Sequence, residues 1–125
     1  GKSDLVINKD SEIIILNFGA LMDVSQNVAE KLNCSLADMR FVKPLDAEFL
    51  KKIHDKKLIV TIEDGSRYGG AGSAVQEWFA DNNLNVTMKS FGIPDVFIEH
   101  ASRDEMIRMA SLNGDAIFDQ IKKLI

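Results

Sequence analysis

Residues 58–62, Leu58-Ile59-Val60-Thr61-Ile62, form an apolar run that closes on two acids, Glu63 and Asp64. The run passes directly into Gly65-Ser66-Arg67-Tyr68-Gly69-Gly70-Ala71-Gly72-Ser73-Ala74-Val75, where a helical spacing of apolar residues begins. A short continuous apolar run is the mark of a strand buried on both faces, as in a parallel sheet. Glycines placed directly after it permit a tight turn and a helix packed close to the strand. The order strand, glycine turn, helix therefore predicts an α/β fold. It is also the one backbone feature in the chain suited to cradling an anion, because the first N–H groups of a helix have no partner within it.

The rest of the chain extends the pattern. Leu5-Val6-Ile7 and Ile13-Ile14-Ile15-Leu16 flank the polar turn Asn8-Lys9-Asp10-Ser11, which predicts a hairpin leading into a buried strand. Met22, Val28, Ala29 and Leu32 recur at helical spacing, and Asn33 is a suitable stop. Residues 35–42 alternate polar and apolar as in a half-buried strand, or could prolong the preceding helix; Pro44 favours extended geometry at Lys43, so the strand is the expected reading. Asp46 is an N-cap for a helix over 47–53, with Leu45 and Leu50 at the spacing of a hydrophobic staple. A helix over 70–81 carries Val75, Trp78 and Phe79 on one face, and a further strand is expected over 86–91. Ser102 and Glu105 form a capping box for a short helix ending near Ala110. Asn113 is expected to cap a separate last helix lined by Ile117, Ile121 and Leu124. Strands alternating with helices call for a mostly parallel sheet covered on both faces, with right-handed crossovers.

A length of 125 residues suits one domain, and 46% hydrophobic content supplies a core without staples. The net charge is −4, and no basic stripe is present, which argues against nucleic acid as a partner. No apolar run approaches the roughly 18 residues of a membrane span, so no membrane partner is expected. The single cysteine, Cys34, cannot form an internal disulfide, which fits a reducing cytoplasm. The chain opens Gly1-Lys2, not with Met, which suggests a trimmed tag or a piece of a longer protein.

No complete catalytic constellation emerges. Gly70-Ala71-Gly72-Ser73-Ala74-Val75 approaches the dinucleotide fingerprint, but Val75 stands where that fingerprint needs a small residue. Glu63 and Asp64 sit where open α/β sheets place their sites, yet adjacent residues on a strand point to opposite faces and make a poor acid–base pair. One of them is expected to accept N–H bonds from the turn. His54 and His100 lack metal-ligand partners at the usual spacing, and the pair Glu99-His100 could meet a partner surface. Ser73 is not in a nucleophile elbow, and Cys34 reads as a small buried apolar residue. Contact with an anion or a partner, if made, falls to Gly69, Gly70, Gly72, Ser73, Glu63 and His100. No catalytic or metal-binding residue is assigned.

Several segments together resemble the C-terminal domain of the 1-deoxy-D-xylulose-5-phosphate synthases, thiamine-diphosphate enzymes of the transketolase superfamily. They are Ile15-Leu16-Asn17-Phe18-Gly19, Asp38-Met39-Arg40-Phe41-Val42-Lys43-Pro44-Leu45-Asp46, Val60-Thr61-Ile62-Glu63, Gly69-Gly70-Ala71-Gly72-Ser73-Ala74-Val75 and Gly92-Ile93-Pro94-Asp95-Val96-Phe97-Ile98. They span essentially the whole chain in the family's order. One departure is Asp64-Gly65, where the family usually has a second Glu and an Asn.

The resemblance implies a three-layer α/β/α domain on a five-stranded mixed sheet, with the Leu5-Val6-Ile7 strand antiparallel at one edge. It implies a cytoplasmic homodimeric parent that condenses pyruvate with glyceraldehyde 3-phosphate, releases carbon dioxide and feeds isoprenoid and thiamine synthesis. In that superfamily thiamine diphosphate and Mg2+ lie between the two preceding domains, held by a Gly-Asp-Gly motif with a later Asn. Gly114-Asp115-Ala116 is the nearest match here, with no room for the Asn. The resemblance thus implies a single non-catalytic domain, excised from its parent, that binds no cofactor itself and serves assembly with the cofactor-binding domains. Two alternatives are a regulatory module for anions or nucleotides, and the docking domain of a related transketolase or 2-oxo acid dehydrogenase β subunit.

Overall fold

The computed structural model describes residues 2–19, 22–64, 70–93 and 102–125. Its elements are β1 (Asp4–Ile7), β2 (Ile13–Phe18), α1 (Met22–Leu32), β3 (Ser35–Asp38), α2 (Ala47–Ile53), β4 (Leu58–Asp64), α3 (Ala71–Asp81), β5 (Met88–Ile93) and α4 (Arg103–Lys122). The five strands form one sheet in the order β1-β3-β2-β4-β5. β2 runs parallel to β3 and to β4, β4 runs parallel to β5, and the edge strand β1 is antiparallel to β3.

The central strands are buried on both faces, as their unbroken apolar sequence requires. All six residues of β2 are buried. Ile13 and Ile15 face one core, shared with Val24, Val28 and Ala29 of α1 and Ile117 and Ile121 of α4. Ile14, Leu16 and Phe18 face the other, shared with Leu50 and Ile53 of α2 and Val75 and Phe79 of α3. The period of two along β2 thus separates the two helical layers.

The helix starts over α2 and α4 follow their sequence signatures. Asp46 caps α2 by accepting from Phe49 N–H, and Ser102 caps α4 by accepting from Glu105 N–H. Leu45 packs on the core that contains Leu50, as the staple requires. Asn33 ends α1 with a positive φ of 52°.

Four expectations need correction. β1 and β2 do not form a hairpin. Both edges of β2 are taken by parallel neighbours, and Ser35 Oγ holds the turn by accepting from Lys9 N–H and donating to Lys9 carbonyl. That contact carries β1 past β2 onto β3. The strand expected over 35–42 stops at Asp38: Met39 N–H still donates to Asn17 carbonyl in the parallel ladder, but Arg40 takes a φ of 63° and turns the chain away. β5 begins two residues late, at Met88, where pairing with Ile59 starts. Val86 packs on the core from outside the ladder. Finally, α4 is continuous through Asn113. Gly114 is buried against Asn27 of α1, and a Cβ there would lie 2.5 Å from Asn27 Oδ1. Close packing of α1 and α4, with Ile117 and Ile121 beneath, outweighs the local preference of Asn-Gly for a helix end.

Candidate functional site

The strand order places a topological switch between β2 and β4: the chain leaves β2 for β3 on one side and leaves β4 for β5 on the other. Open α/β sheets bind ligands outside the carboxyl ends of the strands at such a point. Here those ends are Asn17 and Phe18 on β2 and Glu63 and Asp64 on β4, with Phe18 and Glu63 in register.

Each polar group described at this end is engaged within the domain. Asn17 is fully buried; its Oδ1 accepts from Ser25 Oγ at 2.7 Å, and its Nδ2 donates to Gly19 carbonyl at 3.1 Å. Glu63 Oε1 accepts from Gly70 N–H at 3.0 Å, and Oε2 accepts from Gly72 N–H at 2.8 Å. Asp64 is buried and also has an interaction partner. Glu63, not an outside anion, is therefore the carboxylate at the α3 N-terminus, where the helix dipole favours negative charge. α3 has no side-chain cap and no acid of its own in its first turn.

The glycines have distinct reasons to be glycine. Gly70 precedes α3 with a φ of 89°, in left-handed space that residues with a Cβ rarely enter. Gly72 is buried, and a Cβ there would lie 2.3 Å from Ser90 Oγ and 2.8 Å from Thr61 Oγ1. Thr61 Oγ1 donates to Ser90 Oγ at 2.7 Å, so Gly72 lets α3 settle onto a bonded pair joining β4 and β5. Ser73 is exposed in the first turn of α3. Gly69 and His100 lie outside the described residues.

The other candidates are dispersed. His54 is exposed at the C-terminus of α2, with Nδ1 2.6 Å from Lys51 carbonyl. Cys34 is fully buried, and desolvation pushes its thiol up to about 11, against a smaller opposing backbone hydrogen bond. Gly114 and Asp115 lie within α4, where Asp115 is ion-paired with Lys31 of α1. A carboxylate so placed, on a continuous helix, does not suit the metal–diphosphate loop of a thiamine-diphosphate site. Among the described residues no group of three or more His, Cys, Asp or Glu side chains could hold a metal ion, and no helix is long and apolar enough to cross a membrane. An open cleft of about 390 Å3 lies between the starts of α1 and α4, lined by Asp23, Arg103, Met106 and Ile107.

Two arrangements were not anticipated from the sequence. Asn17 and Ser25 are eight residues apart and give no motif; only the amide at the end of an apolar strand hints at a buried partner. Asp46 was expected to cap α2, but its second oxygen also binds Ser3.

Comparison with known proteins agrees with this architecture. The family described as transketolase, C-terminal domain, matches residues 1–117. The chain is 42% identical over 126 aligned residues to a 1-deoxy-D-xylulose-5-phosphate synthase of Pseudoalteromonas translucida (strain TAC 125), covering all of this chain and 20% of that protein. It is 43% identical over 126 residues to the synthase of Histophilus somni (strain 2336), again covering all of this chain and 20% of the relative. The chain thus spans about a fifth of the length of these relatives. A solved structure described as a split-gene transketolase, inactive beta4 tetramer, superposes with a TM-score of 0.63 at 22% identity, covering 94% of this chain and 41% of that one, and shares the fold. With the mixed five-stranded sheet and the family match over nearly its whole length, this chain belongs to the transketolase C-terminal domain family.

Proposed function

We propose that this chain is the non-catalytic C-terminal domain of a 1-deoxy-D-xylulose-5-phosphate synthase. The observation that carries the reading is identity above 40% across the entire chain to synthases five times its length. On this reading residues 1–125 are one domain of a longer cytoplasmic enzyme that condenses pyruvate with glyceraldehyde 3-phosphate and releases carbon dioxide. Thiamine diphosphate and Mg2+ belong to the preceding domains of the parent and supply its carbanion chemistry. The part of this domain is assembly: it packs against the cofactor-binding domains of its own chain and stabilises the homodimer.

The local geometry supports a structural part. Glu63 satisfies the N–H groups that an anionic substrate or cofactor would otherwise seek at α3. Asp115, in the nearest match to a metal–diphosphate motif, is held by Lys31 on a helix.

The test compares the native gene product with the same product truncated before this segment. An immunoblot should show a native band several times larger than 13.9 kDa. The native product should sediment as a dimer and decarboxylate pyruvate; the truncated product should lose much of the dimer. The 125-residue chain, given pyruvate, thiamine diphosphate and magnesium, should release no carbon dioxide. Release above a heat-killed control would overturn the non-catalytic reading, and a native band near 13.9 kDa would overturn the parent.

A further inference from the structure

The edge strand β1 is weakly held by apolar packing. Three of its four residues are exposed, and Leu5 and Val6, which point to opposite faces, are 46% and 47% accessible. Of its residues, Ile7 alone packs against a core, the one shared by α1 and α4. The strand must therefore be kept in place by its ladder to β3 and by polar contacts at its ends. One end is the Lys9–Ser35 exchange. At the other, Asp4 pairs with Arg40, but both side chains are more than half exposed, and such pairs contribute little.

Asp46 offers more. Its two oxygens divide their work: Oδ1 accepts from Phe49 N–H at 3.1 Å and caps α2, while Oδ2 accepts from both Ser3 N–H and Ser3 Oγ at 2.8 Å. The Ser3 contacts cross 43 residues of sequence, and a carboxylate acceptor makes them stronger than neutral bonds.

We propose that Asp46 is a latch that keeps β1 on the sheet, tying the segment before β1 to the start of α2 and closing the outer edge of β3. When the latch is released, β1 frays. β3, whose Leu36 and Ala37 are fully buried, then presents an unpaired apolar edge, the kind of surface on which a second chain adds a strand. The placement of the chain ahead of Ser3 and the closure of the sheet are thereby coupled through one side chain. This inference does not depend on the enzyme to which the domain belongs.

Asp46→Ser separates the two roles, because serine still caps a helix but leaves Ser3 without its carboxylate. Amide hydrogen exchange in the 125-residue chain is the readout. Exchange at residues 4–7 should speed up about tenfold, as expected for local opening after loss of charge-assisted bonds. Exchange at residues 47–53 should change by less than about twofold, since the cap is retained. Sedimentation velocity should show self-association that grows with protein concentration. Unchanged exchange at residues 4–7 would overturn the latch. So would equal acceleration at 4–7 and 47–53, which would mean that Asp46 acts only through the helix. If Asp46→Ser does not fold, Ser3→Ala gives the same reading at about threefold, since one of two bonds remains. No change in that variant would overturn the proposal.

Discussion

The starts of α4 and α3 solve one problem in two ways. Each helix begins with N–H groups that lack partners within the helix. At α4 the answer is local: Ser102 accepts from Glu105 N–H, three residues along. At α3 it is remote: Gly70 offers no side chain, and the carboxylate comes from Glu63, at the end of the preceding strand. The local cap trims one exposed helix end. The remote cap joins strand to helix across the glycine turn and sets how closely α3 lies on the sheet. A glycine-rich turn at a helix start can therefore be complete without any ligand.

The largest effect expected from disturbing this contrast is at Gly72. Gly72→Ala pushes a Cβ into the Thr61–Ser90 pair and should cost about 3 kcal/mol in urea unfolding, in the range of overpacked cores. A negligible loss would mean that α3 is free to lift away from β4. This also makes Gly72→Glu a poor probe of anion binding, since it would disrupt the fold before it repelled a ligand.

Glu63→Ala comes next. Two charge-assisted bonds disappear, from a partly exposed carboxylate, for a loss of about 2 kcal/mol in the same assay. Amide exchange should quicken at Gly70 and Gly72 while α4 is undisturbed. A loss no greater than that at a local cap would erase the distinction between the two helix starts. Ser102→Ala supplies that standard and should cost about 0.5–1 kcal/mol, because it removes one exposed cap.

Why one of these starts was legible in the sequence and the other only in part is a matter of range. Ser102 and Glu105, or Asp46 and Phe49, lie within one helical turn, so their spacing alone predicts the contact. The buried strands announce themselves for a similar reason, since only a strand covered on both faces tolerates Ile13 to Leu16 unbroken. The sequence led to the expectation that Glu63 or Asp64 would bond the turn, but not which acid or which N–H groups. β1 was misjudged as half of a hairpin because its true partner, β3, lies beyond an intervening strand and helix. α4 was divided at Asn113 because the reason for its continuity, Gly114 against Asn27, is a contact between helices. The resemblance to a family fixed the antiparallel edge strand that local pattern could not.

The smallest expected effect concerns acid. Burial by itself raises the Asp46 carboxyl, but the N–H and O–H of Ser3 and the N–H of Phe49 outweigh it and hold the group below its ordinary 3.8. The folded state thus binds this proton less tightly than the unfolded chain does. The stabilisation is in place above about pH 4 and is lost as pH falls through the lower folded-state value. Asp46→Asn should flatten the acid limb of a plot of stability against pH, while Ser102→Ala should leave its slope unchanged. An identical limb in Asp46→Asn and the parent protein would remove Asp46 from the account.

The most direct test asks whether the α3 N-terminus is already filled. The amide resonances of Gly70 and Gly72 would be followed by NMR as inorganic phosphate is added, in the 125-residue chain and in Ser73→Asp. Ser73 is exposed in the first turn, so an acid there adds negative charge that suits the helix and leaves the packing intact. With Glu63 in place, neither amide should shift saturably in either protein. A saturable shift at both amides in the parent chain, abolished by Ser73→Asp, would contradict the account and make this turn an anion-binding site.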